Sequence, residues 1–198
     1  MLKGKITPIT LVGIVLVVFV IIGIFTSSAV KNYFKKASDK QSSYNYSVGK
    51  SLTEQGKYSD AIKYLEKAVN SDKDNPNYLR ELAVAKYNNK EYQSAIDLYN
   101  QLIKINSKDA FAYNGIANCY RDWAAASADH QKEYQEKAIA SYKQAIDANQ
   151  SYVISYNNLA LLYQDMGKKD EAKKILEDGV KANPENTELQ NSLKAIQV

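Results

Sequence analysis

Four alanines, Ala61, Ala95, Ala138 and Ala172, stand 34, 43 and 34 residues apart in this 198-residue chain. Each marks the same place in a run of apolar and small residues spaced three and four apart, the signature of one helix face. The last copy, Tyr156 to Asn186, is the clearest. Tyr156, Leu159, Ala160 and Tyr163 form one helical stripe, and Gly167 interrupts it where the chain must reverse. A second stripe runs through Ala172, Ile175, Leu176, Gly179, Val180 and Ala182. Pro184 ends it, because proline cannot donate the next helical hydrogen bond. The unit is a helix–turn–helix, and four are expected, at 42–75, 76–109, 110–152 and 153–186.

The other copies carry the same marks. The first has Val48-Gly49, Leu52, Gly56, Tyr58, Ala61, Leu65 and Ala68; the second has Leu82-Ala83, Tyr92, Ala95, Tyr99 and Leu102. The third has Tyr113, Ile116-Ala117 and Tyr120, then Ala138, Tyr142 and Ala145. This pattern resembles the tetratricopeptide repeat (TPR) over about 155 residues. Two departures are the missing closing proline of the first three copies (Lys73, Ser107, Gln150) and the missing tryptophan at the first aromatic position. The resemblance implies an all-α, right-handed superhelical solenoid of four helix pairs. Residues 187–198, with Leu189, Leu193 and Ile196, would cap the apolar face that the last unit leaves open. It also implies a non-catalytic scaffold that binds a partner protein or peptide.

The middle interval exceeds the period by nine residues, and the excess lies in Asp122 to Lys137. Its Ala, Glu and Lys content favours helix, so about four residues should be added to each helix of the third pair, with a turn near Ser127 to Asp129. Trp123 and Tyr134 would meet on this extension, either to staple it or to serve as a docking tip. Tyr58, Tyr92, Tyr99, Tyr120, Tyr142 and Tyr163 fall where the family places packing aromatics, and Cys119 reads as a small buried residue.

In this family the first helix of each repeat lines a concave groove. By register the second repeat places Arg80, Glu81, Val84 and Tyr87 there. The third places Phe111, Asn114, Asn118, Arg121 and Asp122, and the fourth places Ile154, Asn157, Asn158 and Leu161. The chain holds 24 lysines and two arginines, and both arginines map to this face. Asn amides donate and accept at once and suit a peptide backbone; the Arg fork suits a carboxylate. The expected site is therefore Arg80, Tyr87, Asn114, Asn118, Arg121, Asn157, Asn158 and Leu161. The Lys/Asn set with which chaperone co-receptors clamp an acidic C-terminus is not reproduced.

Charge separates the N-terminus from the repeats. Residues 1–40 hold six lysines against Asp39, and the rest holds 20 basic and 21 acidic side chains. A near-neutral repeat domain argues against nucleic acid, which needs a basic stripe. Between Lys5 and Lys31 there is no charge, and residues 7–30 are long and apolar enough to span a bilayer. A basic tail (1–6), a transmembrane signal anchor (7–30) and a juxtamembrane linker (31–41) are expected, with cleavage near Ser27-Ser28-Ala29 as the alternative. Balanced flanking lysines leave orientation open; a short basic tail leans toward repeats outside the cytoplasm, the cytoplasmic side being the other outcome. One cysteine and one histidine, with no Gly-rich loop or metal spacing, point to no enzyme and no cofactor. A self-assembling homo-oligomeric subunit, or a spacer at the membrane, is the rival reading.

Overall fold

The structure, a computed structural model, describes residues 28–196. Among the described residues there are nine α-helices, one short 3-10 turn and no strand. They are α1 (Ser28–Glu54), α2 (Tyr58–Ser71), α3 (Pro76–Asn88), α4 (Tyr92–Ile105) and α5 (Ala110–Ala126), then α6 (Gln131–Ala148), α7 (Val153–Asp165), α8 (Lys169–Ala182) and α9 (Thr187–Ile196). Four successive hairpins make the repeats, each helix packs chiefly on its sequence neighbours, and α9 closes the row against α8 and α7.

Local chemistry sets the boundaries. Inside the hairpins, Gly56 and Gly167 both turn at φ 73°, a left-handed conformation that glycine tolerates without a Cβ clash. The second repeat has Lys90 at this place, with φ 62°, where a side chain is strained. Between hairpins, Asn75 Oδ1 accepts from the backbone N–H groups of Asn77 and Tyr78, and Pro76 opens α3. Asp109 Oδ1 caps α5 through the N–H of Ala112 at 3.0 Å.

The four register alanines are completely buried, each where a second helix meets a first. The core forms two clusters that meet at α5. Leu65, Leu79 and Leu102 anchor one; Leu159, Leu176 and Leu189 anchor the other. Each of these leucines is at most 1% exposed, and each burial contributes about 1.5–3 kcal/mol. Leu189 belongs to α9, so the closing helix covers the last apolar face as expected. Cys119 is buried in the first cluster.

The extension of the third hairpin is shared between its helices. α5 has 17 residues against 13 in α3 and α7, and α6 has 18 against 14 in α2, α4 and α8. Ala128–His130 forms the turn. Trp123 and Tyr134 do meet, stacked at 4.9 Å. They are not a free tip: Trp123 is half-buried and also packs 6.0 Å from Tyr92 of the second repeat, so the rings brace the extension to its neighbour.

Residues 31–41, read as a linker, are helical and continuous with the first helix of repeat one. Lys31 to Gln41 are all exposed, so this part of α1 stands clear of the repeats. The expected span at 7–30 lies outside the described residues except for Ser28 to Val30. Among the described residues no helix is long and apolar enough to cross a membrane.

Candidate functional site

The first helices of repeats two to four, α3, α5 and α7, bring five of the eight expected site residues into one hydrogen-bonded chain. Arg121 sets its polarity. A guanidinium can only donate, so its 3.4 Å contact to the Tyr142 hydroxyl makes that oxygen an acceptor. The single phenolic hydrogen then goes to Asn118 Oδ1, at 2.5 Å. Asn158 Nδ2 reaches both Asn118 Oδ1 (3.5 Å) and Asn114 Oδ1 (3.1 Å), and Ser155 Oγ donates to Asn114 Oδ1 at 3.2 Å. Both asparagine carbonyls on α5 are thus consumed internally. Their NH2 groups make no hydrogen bond to a described residue and are not among the buried unpartnered atoms.

The other end of the chain is ionic. Arg121 grips Asp122 Oδ1 through Nε and Nη2, both at 2.9 Å, while the Tyr87 hydroxyl donates to Asp122 Oδ2 at 2.6 Å. Such charge-assisted bonds are stronger than neutral ones. Burial raises the Tyr142 phenol above its ordinary pKa, and burial followed by the bond to Asp122 does so for Tyr87. Both therefore remain protonated donors. The network runs from repeat two to repeat four and fixes the three first helices relative to one another.

Arg80 makes a separate tie. Its Nη2 meets Asp109 Oδ2 at 2.9 Å and its guanidinium lies 4.5 Å from the Phe111 ring, so one aspartate both caps α5 and holds the arginine of the preceding repeat. Asn157 turns away from the other asparagines: its Nδ2 donates to Glu188 of α9 at 2.7 Å, and its Oδ1 is buried without a partner. Leu161 is exposed, two helical turns from the equally exposed Ile154. At the first-repeat end, burial raises the Glu81 carboxyl above its usual range, with Lys50 opposing and Glu54 adding to the shift.

The two arginines are accordingly not open forks, because each already holds an internal carboxylate. Sequence register places Asp122 on this wall without showing that it is the joint between Tyr87 and Arg121. Tyr142 reads as a packing aromatic, and its ring is indeed buried, but its hydroxyl links Arg121 to Asn118. Ser155 and Asp109 are missed altogether; only the position of Asp109 just before a helix start hints at its capping role.

Cys119 is fully buried and its thiol is pushed up to about 12 by burial, so it is a poor nucleophile. His130 is exposed and stacks on Tyr134 at 5.7 Å. Among the described residues no three His, Cys, Asp or Glu side chains gather as metal ligands would. On this wall the NH2 groups of Asn118 and of the buried Asn114 have no acceptor among the described residues, and Ile154 and Leu161 of α7 are exposed.

Models of the tetratricopeptide repeat match residues 52–119, 126–167 and 153–186. No curated protein matches the chain in sequence. Similar solved structures include a thermophilic TPR protein of Thermus thermophilus, at 20% identity and TM-score 0.64, with 78% of this chain and 80% of that one covered. MamA from Desulfovibrio magneticus is 15% identical with a TM-score of 0.59, over 79% and 84%. PilF of Pseudomonas aeruginosa is 18% identical with a TM-score of 0.59, over 81% and 69%. At these identities the likeness is one of fold.

Proposed function

This chain is a tetratricopeptide repeat protein, and from that premise we propose that it is a non-catalytic scaffold whose inner wall holds an extended peptide of a partner protein. Proteins of this fold generally mediate protein–protein interaction or scaffolding. The observation that carries the reading is the NH2 group of half-buried Asn118, with that of the more deeply buried Asn114 one helical turn away. Both lack an acceptor among the described residues while their carbonyls are taken internally. Every peptide residue has a main-chain carbonyl to accept from such donors, whatever its side chain. Ile154 and Leu161 would take apolar side chains, while Arg80 and Arg121 act mainly by holding the repeats in register.

Asn118→Asp separates binding from architecture. The carboxylate keeps an oxygen for Tyr142 and Asn158 but loses the outward donor. A peptide selected from a random library on the full chain should bind the variant about tenfold more weakly or worse, with thermal stability retained. Equal affinity for both proteins would contradict the proposal.

We further propose that residues 7–30 anchor the chain in a membrane, with the repeats outside the cytoplasm. Support comes from the uncharged stretch between Lys5 and Lys31. Resistance to alkaline extraction, together with labelling of a Ser43→Cys variant by an impermeant maleimide on intact cells, is the expected result. Extraction into the soluble fraction would rule the anchor out. Self-assembly is a second reading, favoured by the exposure of Tyr33 and Tyr44 on α1. Light scattering on the full chain in detergent would then show a discrete oligomer.

A further inference from the structure

On the opposite helices, those that do not carry the asparagines, the seam between repeats three and four is open. α6 and α8 enclose a cavity of about 530 Å³ with Ile146 and Ile175 among its lining residues. Tyr156 of α7 also lines it. This tyrosine is 3% exposed, yet its hydroxyl bonds to no described residue and is not among the buried unpartnered atoms. Its remaining access is to this cavity.

The preceding seam shows what is unusual. Tyr113 holds the same register in repeat three, and its hydroxyl contacts the backbone oxygen of Ser107 at 3.5 Å. The smaller cavity there has no isoleucine in its lining, which is Ser107, Lys108, Tyr113, Gln144, Asp147 and Ala148. Of the two seams, that of Tyr156 alone combines apolar walls with an unsatisfied phenol.

Asp147 and Asp178 stand at the lining, and neither forms an ion pair with a described residue. Burial holds the Tyr156 phenol above its ordinary pKa, and Asp178 and then Asp147 add to the shift. The charges that bear on the hydroxyl are thus both negative. Lys143 and Lys181 complete the rim.

We propose that this seam is a second binding site, which takes one lysine or arginine side chain of a partner polypeptide. The methylene stem lies between Ile146 and Ile175, and the cationic head donates to the Tyr156 hydroxyl and the two aspartates. A neutral aliphatic side chain would fill the walls but strip water from two carboxylates and a hydroxyl without replacing it. An acidic side chain that reached the Tyr156 hydroxyl would add a third negative charge to Asp178 and Asp147, the two that bear on it. The site is independent of the inner wall.

The test uses the full chain labelled at isoleucine methyls, titrated with the capped peptides acetyl-Gly-Gly-Lys-Gly-Gly-amide, its arginine counterpart, and a version with norleucine in place of lysine. The Ile146 and Ile175 methyl signals should shift saturably with the two basic peptides, with dissociation constants in roughly the millimolar range. Norleucine should not saturate them. Asp147→Asn with Asp178→Asn should weaken lysine binding about tenfold, and Tyr156→Phe by a smaller factor, whereas Asn118→Asp should leave it unchanged. Saturation by norleucine at equal strength, an unaltered affinity in the double variant, or no saturable shift with any basic peptide would overturn the assignment.

Discussion

Two parts of this molecule carry more helix than the repeat requires, and only one of them is packed. α1 runs 27 residues, and its stretch from Lys31 to Gln41 is exposed throughout. In the third hairpin both helices lengthen together, by four residues each; Tyr134 stacks on Trp123 and on Tyr120, and Trp123 packs against Tyr92 of the repeat before. Paired lengthening creates apolar surface with something to cover it. Lengthening one helix alone leaves continuity and propensity to hold the helix, and these are weak without tertiary contacts. The same paired extension begins just beyond Arg121 and Asp122, so it also buttresses the polar chain on the inner wall.

The contrast should be greatest in alkali. Cys119, Tyr99, Tyr142 and Tyr87 gather around α5, and burial raises the pKa of each. These groups are neutral when protonated, so the folded state keeps their protons longer than the unfolded chain does. Stability is then fully present below the ordinary thiol value of 9.0 and is lost as pH rises toward the folded value of about 12. The thiol alone should remove on the order of 3 kcal/mol by about pH 11. Urea unfolding across that range should show the fall; a flat profile would mean that these groups are not sequestered.

Next in size is the brace itself. Trp123→Ala should cost about 2–4 kcal/mol, whereas Tyr33→Ala on the exposed part of α1 should stay within about 0.5 kcal/mol. Similar losses at the two sites would erase the distinction between packed and unpacked extension. Gly115→Ala should cost about 1–3 kcal/mol, since a Cβ there would run into the Tyr99 ring. Chemical denaturation with an unchanged m-value would mark it as a packing effect. Smallest is Lys90→Gly, which should stabilise by up to about 1 kcal/mol by relieving the left-handed residue that Gly56 and Gly167 fill elsewhere. No gain there would mean that the turn relaxes around the lysine.

The helices and their order were legible because hydrophobic spacing and turn glycines are local properties. Ala61, Ala95, Ala138 and Ala172 predict four equivalent buried contacts, and all four are at 0% exposure. The even split of eight of the nine extra residues between the two helices followed from helix propensity. Tertiary pairing was not legible. Register puts Arg80, Arg121, Asn114 and Asn118 on one wall, yet it does not show that Asp109 and Asp122 occupy the arginines or that Tyr142 turns the Asn118 carbonyl inward. Those facts depend on angles between repeats. The helicity of residues 31–41 was not legible for a different reason: their polar composition reads as a tether, but nothing in Ala37 to Ser43 breaks a helix that the first repeat then continues.

The most direct test of the inner wall is to watch its donors. Side-chain amide signals of Asn114, Asn118 and Asn157, assigned by substitution, can be followed by nitrogen–proton NMR while a selected peptide is added to the full chain. The account predicts that the NH2 signals of Asn114 and Asn118 move saturably with the peptide, while that of Asn157, already bonded to Glu188, moves little. Movement confined to the Trp123 indole or to Ile146 and Ile175, with both α5 amides unmoved, would place the partner elsewhere and contradict it.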